Sequence, residues 1–401
     1  MRQGLNVETP ALLYADHHAT TPLDPAAFEA MRPWLAGLAG NPSSVHGPGR
    51  AARAAVERAR EEVARLLNAD PGGIVFTSGG TEADNLAVRG GARAARESDP
   101  ARRGVLFTAA EHAAVREAAL SLAAEGFEPV ELPVDARGVP AGPCPADGRT
   151  ALVAVILANN ETGAIFDGLP AFAERAGAAG ALVHTDAVQA AGKVPVDVKA
   201  LGVDFLALAA HKFGGPKGAG ALWVRPGVRV AALAAGGGQE RGRRGGTENV
   251  AALAGLGEAA RLARLRLAEE GVRLAGLRDR LEAGLKAAVP DCFFNAAGGP
   301  RLPTATSVVF PGAEAETLVA ALDLEGIAVS AGSACHAGTT APSRVLVALG
   351  LTPADAKATL RISFGRPSTE ADVERLLEAV PRIVARARRA SGNASPARRT
   401  R

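Results

Sequence analysis

The segment VDFLALAAHKFGGPKGAGALWV, residues 203–224, sets two unbroken apolar runs on either side of a polar, glycine-rich turn. Neither run alternates apolar with polar residues. A strand that is apolar throughout is buried on both faces, as in a parallel sheet covered by helices, whereas alternation marks a sheet with one wet face. Working outward, GGIVFTS, GVLFTA, EPVELPV, TALVAVILA and GALVHTDA read as further strands. Helical stretches such as TEADNLAVRGGARAARE and EHAAVREAALSLAAEG lie between many of them. Strands and helices alternating from about residue 70 to 225 predict an α/β domain on a mainly parallel, seven-stranded sheet.

Ligands of such a sheet gather beyond the carboxyl ends of its strands. Polar residues stand there in this chain: Gly79-Gly80-Thr81 after GGIVFTS, Asn159-Asn160-Glu161-Thr162-Gly163 after TALVAVILA, Asp186 and Gln189 after GALVH, and His211-Lys212 after VDFLALAA. Gly80 and Thr81 open a helix, where free backbone amides and the helix dipole favour an anion. The same residues also read as an ordinary turn with Thr81 as an N-cap.

A chain of 401 residues exceeds the size at which one core stops growing, so two domains are expected. The periodicity from residue 249 to 289 is helical and long enough for one or two helices leading out of the first domain. TATSVVFPG, ETLVAALDLEG, APSRVLVALG, LRISFG and a last helix then form a smaller α+β unit. The expected division is 21–260 for the large domain, and 1–20 with 261–390 for the small one. Residues 391–401 read as a flexible basic tail.

Composition narrows the class. Hydrophobic content of 47% and charged content of 22% suit a soluble globular protein. No signal peptide or membrane span is evident, which predicts a cytoplasmic protein. The three cysteines, Cys144, Cys292 and Cys335, form no CxxC pair, which argues against a disulfide framework or a zinc ribbon, and no metal site is expected. Net charge is +3, but the last twenty residues hold seven arginines and no acid, leaving −4 for the rest, and they read as a frayed, solvated end. Basic residues are spread without aromatic interleaving, so no nucleic-acid groove is expected. Only six of the 45 basic residues are lysine (193, 199, 212, 217, 286 and 357). Where arginine serves as the surface cation, a retained lysine points to an amine that must lose its proton.

A phosphate cup, an acid, amide side chains and a histidine-lysine pair are what pyridoxal phosphate requires. The cofactor needs an amine for its Schiff base, an acid for its pyridine nitrogen and a seat for its phosphate. Asp186 and Lys212 suit the first two needs, although spacing alone does not choose Lys212 over Lys217.

YADHHATTPLDP, GNPSSVHGPG, VFTSGGTEADN, Glu111-His112, NNETG, HTDAVQAAGK, AAHKFGGPKGAGALWV, GGGQERGRRGGTENV, SAGSAC and LRISFGRPSTEADV occur in order across residues 14 to 373. Together they closely resemble the cysteine desulfurases, in the class V aminotransferase group of fold-type I pyridoxal phosphate enzymes. The resemblance implies removal of sulfur from L-cysteine, leaving L-alanine and a persulfide on Cys335. It implies that Lys212 forms the cofactor imine, that Asp186 faces the pyridine nitrogen, and that His112 lies over the ring and transfers protons. Asn160 and Gln189 match contacts to the phenolic oxygen. Gly80, Thr81 and His211 match the phosphate seat, and Thr247 matches a ligand reaching in from a second subunit, hence a homodimer. Arg361, with Asn160 beside it, matches the substrate-carboxylate site, where a planar fork suits bidentate contact. A sulfur-acceptor protein is implied as partner, for iron-sulfur cluster assembly or tRNA thiolation.

Cys335 sits among Gly332, Ser333, Gly338 and Thr339, poor core formers that give a nucleophilic thiol reach and exposure. Its loop resembles the longer, mobile form. His336 beside it would favour the thiolate. Cys144 and Cys292 match no motif and read as loop and near-core residues. Two positions depart from the family pattern. Ala209 stands where a phosphate-binding serine is common, three residues before the lysine, so one phosphate contact is expected to be missing unless water substitutes. His17 and His18 replace small or amide residues near the substrate side. A selenocysteine lyase or another aminotransferase shares most of these motifs, and a non-catalytic cofactor-binding scaffold is the alternative from a different class.

Overall fold

The computed structural model describes residues 12–332 and 341–390, together with Gly392. Cys335, His336 and, Gly392 apart, the tail 391–401 lie outside the described residues.

All seven apolar runs form strands of one sheet. In spatial order these are Ile74–Thr77, Gly220–Val224, Phe205–Ala209, Leu182–Asp186, Thr150–Ala154, Gly104–Thr108 and Glu128–Leu132. Gly220–Val224 runs antiparallel to both neighbours, and the remaining pairs are parallel. Successive side chains of a strand point to opposite faces, and here each face has its own core. Ile74, Phe76, Leu106, Val153, Val183, Leu206, Leu208 and Trp223 pack into one cluster. Val75, Val105, Phe107, Leu152, Ala154, Phe205, Leu222 and Val224 pack into the other. The unbroken apolar runs are thus two interleaved sets, and each buried Leu or Phe contributes about 1.5–3 kcal/mol.

Glu128–Leu132 differs from the other six. It pairs with a neighbour on one side alone and is largely exposed up to Leu132, so its charges meet water and guard the sheet edge. TEADNLAVRGGARAARE also departs from a single regular helix. Helices Gly80–Asn85 and Gly91–Ser98 are joined by one wide turn, Leu86–Gly90. Gly90 and Gly91 pass so close to the Ala231 carbonyl and the Phe205 ring that a Cβ would stand 2.5 Å and 2.8 Å away.

The helical stretch after residue 249 is one helix, Val250–Ala288, capped by Asn249, whose side chain accepts from the Ala252 N–H. Ala252, Leu253, Leu256 and Ala260 pack into the first core, and Leu274, Leu277, Leu281 and Leu285 into a third. That third core lies between a four-stranded antiparallel sheet (Ser330–Ala331, Thr359–Ser363, Ala305–Val309, Phe293–Phe294) and helices including Glu370–Ala390. Leu13–Tyr14 pairs in parallel with Ile327–Ala328, tying the N-terminal segment to this unit.

The frayed end expected for the last twenty residues does not include residues 382–390. The final helix runs to Ala390, Arg382 pairs with Glu325, and Arg388 is buried against Asp291 and the Pro311 carbonyl. Amphipathic burial overrides local basicity here: Ile383, Val384 and Ala387 face the core. Cys144 and Cys292 are both buried, with thiols pushed up by burial. Among the described residues no helix is long and apolar enough to cross a membrane.

Leu281→Ala, at a fully buried position of the long helix, is expected to cost about 2–5 kcal/mol. Denaturant unfolding followed by circular dichroism should show a clear drop in midpoint, and an unchanged midpoint would count against this packing.

Candidate active site

The parallel strands end along one edge of the large sheet, and the segments leaving them line a single cavity of about 340 Å³. Gly80 and Thr81 enter from the first strand, His112 from the segment after Gly104–Thr108, and Asn160 from the one after Thr150–Ala154. Asp186 and Gln189 follow the fourth parallel exit, and Ala209, His211 and Lys212 the fifth. Arg361 comes from the small unit, on strand Thr359–Ser363. Sequence reasoning therefore names most of the wall. It misses Asp84 in the wall and, behind Gln189, Lys193.

Asp84 lies three residues after Thr81 in the same short helix, a spacing that puts both on one face. Asp84, His112 and Asp186 each place a polar atom within 4.8 Å of the others. Burial pushes the Asp186 carboxyl up, opposed by the positive influence of His112, the Val188 N–H and Lys212. Asp84 is pushed further, by complete burial and by the negative charges of Asp186 and Glu111. Of the two, Asp186 is the one fitted to carry charge. His184 stands behind them, its Nε2 3.1 Å from Asp84 Oδ1, and burial keeps its imidazole neutral down to about 3.

His112 caps the helix Ala113–Ser121, its Nδ1 accepting from the Ala114 N–H at 3.1 Å. That contact fixes the tautomer, so a ring proton sits on Nε2. His211 is held low, to about 4, by burial and by Lys212, Lys193 and Lys217, and its Nδ1 lies 3.2 Å from Thr20 Oγ1.

His18 arrives from the N-terminal segment and is buried. Its Nδ1 donates to the Asn160 carbonyl at 3.3 Å and its Nε2 accepts from Thr304 Oγ1 at 2.8 Å. The His18 carbonyl receives Lys212 Nζ at 2.6 Å and Gln189 Nε2 at 2.9 Å, and Lys212 also donates to the Ala19 carbonyl at 2.9 Å. The replacement histidine is thus packed into the wall. His17 beside it is buried with no hydrogen-bond partner for either ring nitrogen among the described residues, and burial lowers it to about 4.

Arg361 is 2% exposed. One terminal nitrogen donates to the Asn160 carbonyl at 3.0 Å and the other to Asp16 Oδ1 at 2.7 Å, while Nε has no partner among the described residues. Each terminal nitrogen keeps a second N–H for a ligand. Thr247 is exposed and does not line this cavity.

The chain matches the model of the family "Aminotransferase class-V" over residues 13–376. The chain belongs to this family. Curated class-V relatives include an "IscS-like cysteine desulfurase" of Mycobacterium tuberculosis, 44% identical over 97% of this chain and 100% of the relative. A "Cysteine desulfurase" of Cereibacter sphaeroides is 46% identical over 93% of this chain and 95% of its own. Among solved structures, a "NIFS-LIKE PROTEIN" superposes with a TM-score of 0.83 at 34% identity, covering 93% of this chain and 99% of that one. "SspA in complex with cysteine" superposes with a TM-score of 0.73 at 31% identity, covering 88% and 98%.

In this member of the class-V family the NNETG acid, Glu161, is buried between the two units. Ser343 donates to Glu161 Oε2 at 2.6 Å and caps helix Arg344–Ala348, and a Cβ on Gly332 would lie 3.5 Å from the same oxygen. Burial pushes Glu161 up to about 7, against the Ser343 hydroxyl, Arg361, Arg344 and His112. A carboxyl held higher when folded stabilises the fold in its protonated state. That contribution is complete below the ordinary value of 4.5 and is lost as pH rises toward about 7. Glu161→Gln is expected to flatten the decline of stability across this window, measured as denaturation midpoint against pH; a variant as steep as wild type would refute the assignment.

Proposed function

We propose that the chain is a pyridoxal-phosphate-dependent cysteine desulfurase that converts L-cysteine to L-alanine and carries the sulfur on Cys335. The observation that supports this most is the meeting of Lys212, the buried Asp186 and Arg361 in one cavity at the strand ends. The cavity suits the cofactor: an amine, a buried acid, a helix start with Gly80 and Thr81, and an arginine Nε without a partner. The relatives named as cysteine desulfurases over nearly the whole chain support the substrate.

When bound, pyridoxal phosphate acts as an electron sink that stabilises negative charge at the substrate α-carbon. Lys212 would supply the amine that joins it. Asp186 would hold the pyridine nitrogen protonated, while Asn160 and Gln189 would hold the phenolic oxygen. Gly80, Thr81 and His211 would seat the phosphate, with Ala209 adding no side-chain donor. Arg361 takes the carboxylate of L-cysteine through its remaining N–H groups, next to Asn160. His112 moves protons at Nε2. The Cys335 thiolate attacks the substrate sulfur, an S–S bond forms as the Cβ–S bond breaks, and a proton completes alanine. The balance is L-cysteine plus thiol giving L-alanine plus persulfide.

The enzyme works as a homodimer in which the exposed Thr247 completes the partner's phosphate seat. It is cytoplasmic and delivers sulfur to an acceptor protein for iron-sulfur cluster assembly or tRNA thiolation. Its large domain is 21–260, and 1–20 with 261–390 form the small one. Reading the long helix as shared between them rests on its burial in two cores.

Purified wild type, supplied with pyridoxal phosphate and a reductant, is expected to release sulfide and alanine in equal amounts from L-cysteine. Cys335→Ala should keep the cofactor spectrum and lose sulfide release. Wild type that binds the cofactor yet releases neither product would overturn the reading, and equal turnover by Cys335→Ala would point to a reaction with no need of that thiol.

A further inference from the structure

We propose that Lys193 is a positioning residue: it dictates which way round the Gln189 amide sits, so that Gln189 offers an N–H to an acceptor in the cavity. This rests on the reading above, in which that acceptor is the phenolic oxygen of pyridoxal phosphate.

Lys193 is one of six lysines in an arginine-rich chain, and none of the roles assigned above uses it. After Asp186 the chain makes tight turns in which Ala191 N–H bonds to Ala187 and Val194 N–H to Ala190. Gln189 and Lys193, four residues apart, come to one side. Gly192 makes this possible: its φ is 76°, and a Cβ there would stand 2.7 Å from Phe213 Cβ. Lys193 Nζ donates to Gln189 Oε1 at 2.5 Å. On the other end of the same amide, Nε2 donates to the His18 carbonyl at 2.9 Å.

A carbonyl accepts and cannot donate, so the amide atom facing His18 is nitrogen and the atom facing Lys193 is oxygen. The nitrogen has two hydrogens. One goes to His18, and the other remains for the cavity that Gln189 lines. Without the lysine, an oxygen on a side chain 3% exposed would have no donor. The neighbouring donor is the Lys212 amine, on the same His18 carbonyl. An amide turned toward it would show the cavity an oxygen.

Lys193 forms no salt bridge among the described residues. Lys212 and Arg361 are the cations that face it, with neutral His17, His18 and His211 nearby. Asp24 and Glu270, which line the apolar cavity on its far side, are tied to Arg266, Arg366 and Arg273. The amine is therefore committed to the amide rather than to an acid.

The test titrates cofactor-free protein with pyridoxal phosphate and reads the dissociation constant and the ratio of visible to near-ultraviolet bands. Wild type, Lys193→Met, Lys193→Arg, Gln189→Met and the Lys193→Met/Gln189→Met double variant are compared. Lys193→Met is expected to weaken binding roughly tenfold, the scale of one buried hydrogen bond. Its band ratio should move as in Gln189→Met. Lys193→Arg keeps a donor and should retain most of the affinity. In the Gln189→Met background the lysine change should add nothing. Should Lys193→Met not fold, Lys193→Gln, whose shorter amide falls short of Oε1, carries the same cycle. A chromophore unmoved by the lysine change, or effects that add in full, overturns the proposal alone. Wild type with no bound chromophore overturns the functional reading and this proposal with it.

Discussion

Everything at the site depends on backbone pairing in one direction. Leu152, Val153 and Ala154 register against Leu182, Val183 and His184, and His184, Thr185 and Asp186 against Phe205, Leu206 and Ala207. These bonds involve no functional side chain, yet they fix where each strand stops. Because the strands point the same way, their exits share an edge, and residues remote in sequence stand around one cavity. The alternation of side chains between two cores holds that ladder flat against helices on both sides.

The second constraint is the burial of charge. Asp84, Glu111, Glu161, Asp186 and Arg361 are buried in the protein with Lys193 partly buried beside them, and a close ion pair at the wall joins Arg361 with Asp16. Isolated buried charge is costly, so the acids are driven up and the histidines and Lys193 down. Asp84, Glu111 and Asp186 stand together, and Lys212 and Arg361 bring positive charge to the same cavity. A ligand with a cationic nitrogen at one end and anionic groups at the other relieves both. The two large cores supply the stability against which this arrangement is held.

Much of this is legible in the chain because apolar runs and helical periodicity are local signals. GALVHTDA and VDFLALAA announce strands without reference to any partner. EPVELPV shows the limit, since a run cannot say whether its strand is central, and Glu128–Leu132 turns out to be an exposed edge. Gly90-Gly91 likewise hides its reason, a close approach to Ala231 and Phe205 that interrupts a helix the local pattern continues. In the site, residues directly after strands are readable from position alone. Arg361 came only by resemblance, since nothing local says that strand Thr359–Ser363 faces the large sheet. For His18 the departure from the family pattern is readable but its cause is not, since its ring bridges Asn160 and Thr304, two long-range partners. Asp84 was in plain view at helical spacing. The basic end misleads because charge was counted where the core-facing Ile383, Val384 and Ala387 decide.

Among the described residues, the two halves of Val250–Ala288 belong to different cores, joined by a partly exposed stretch between Ala263 and Leu274. An α-helix turns about 100° and rises about 1.5 Å per residue. A single insertion in that stretch would swing Leu274, Leu277, Leu281 and Leu285 off their seats by more than a quarter turn, carrying strand Thr359–Ser363 and its arginine with them. Chain length at this point is therefore quantised: the exposed face accepts almost any side chain, but only additions near whole numbers of turns, about seven or eleven residues, preserve the phase.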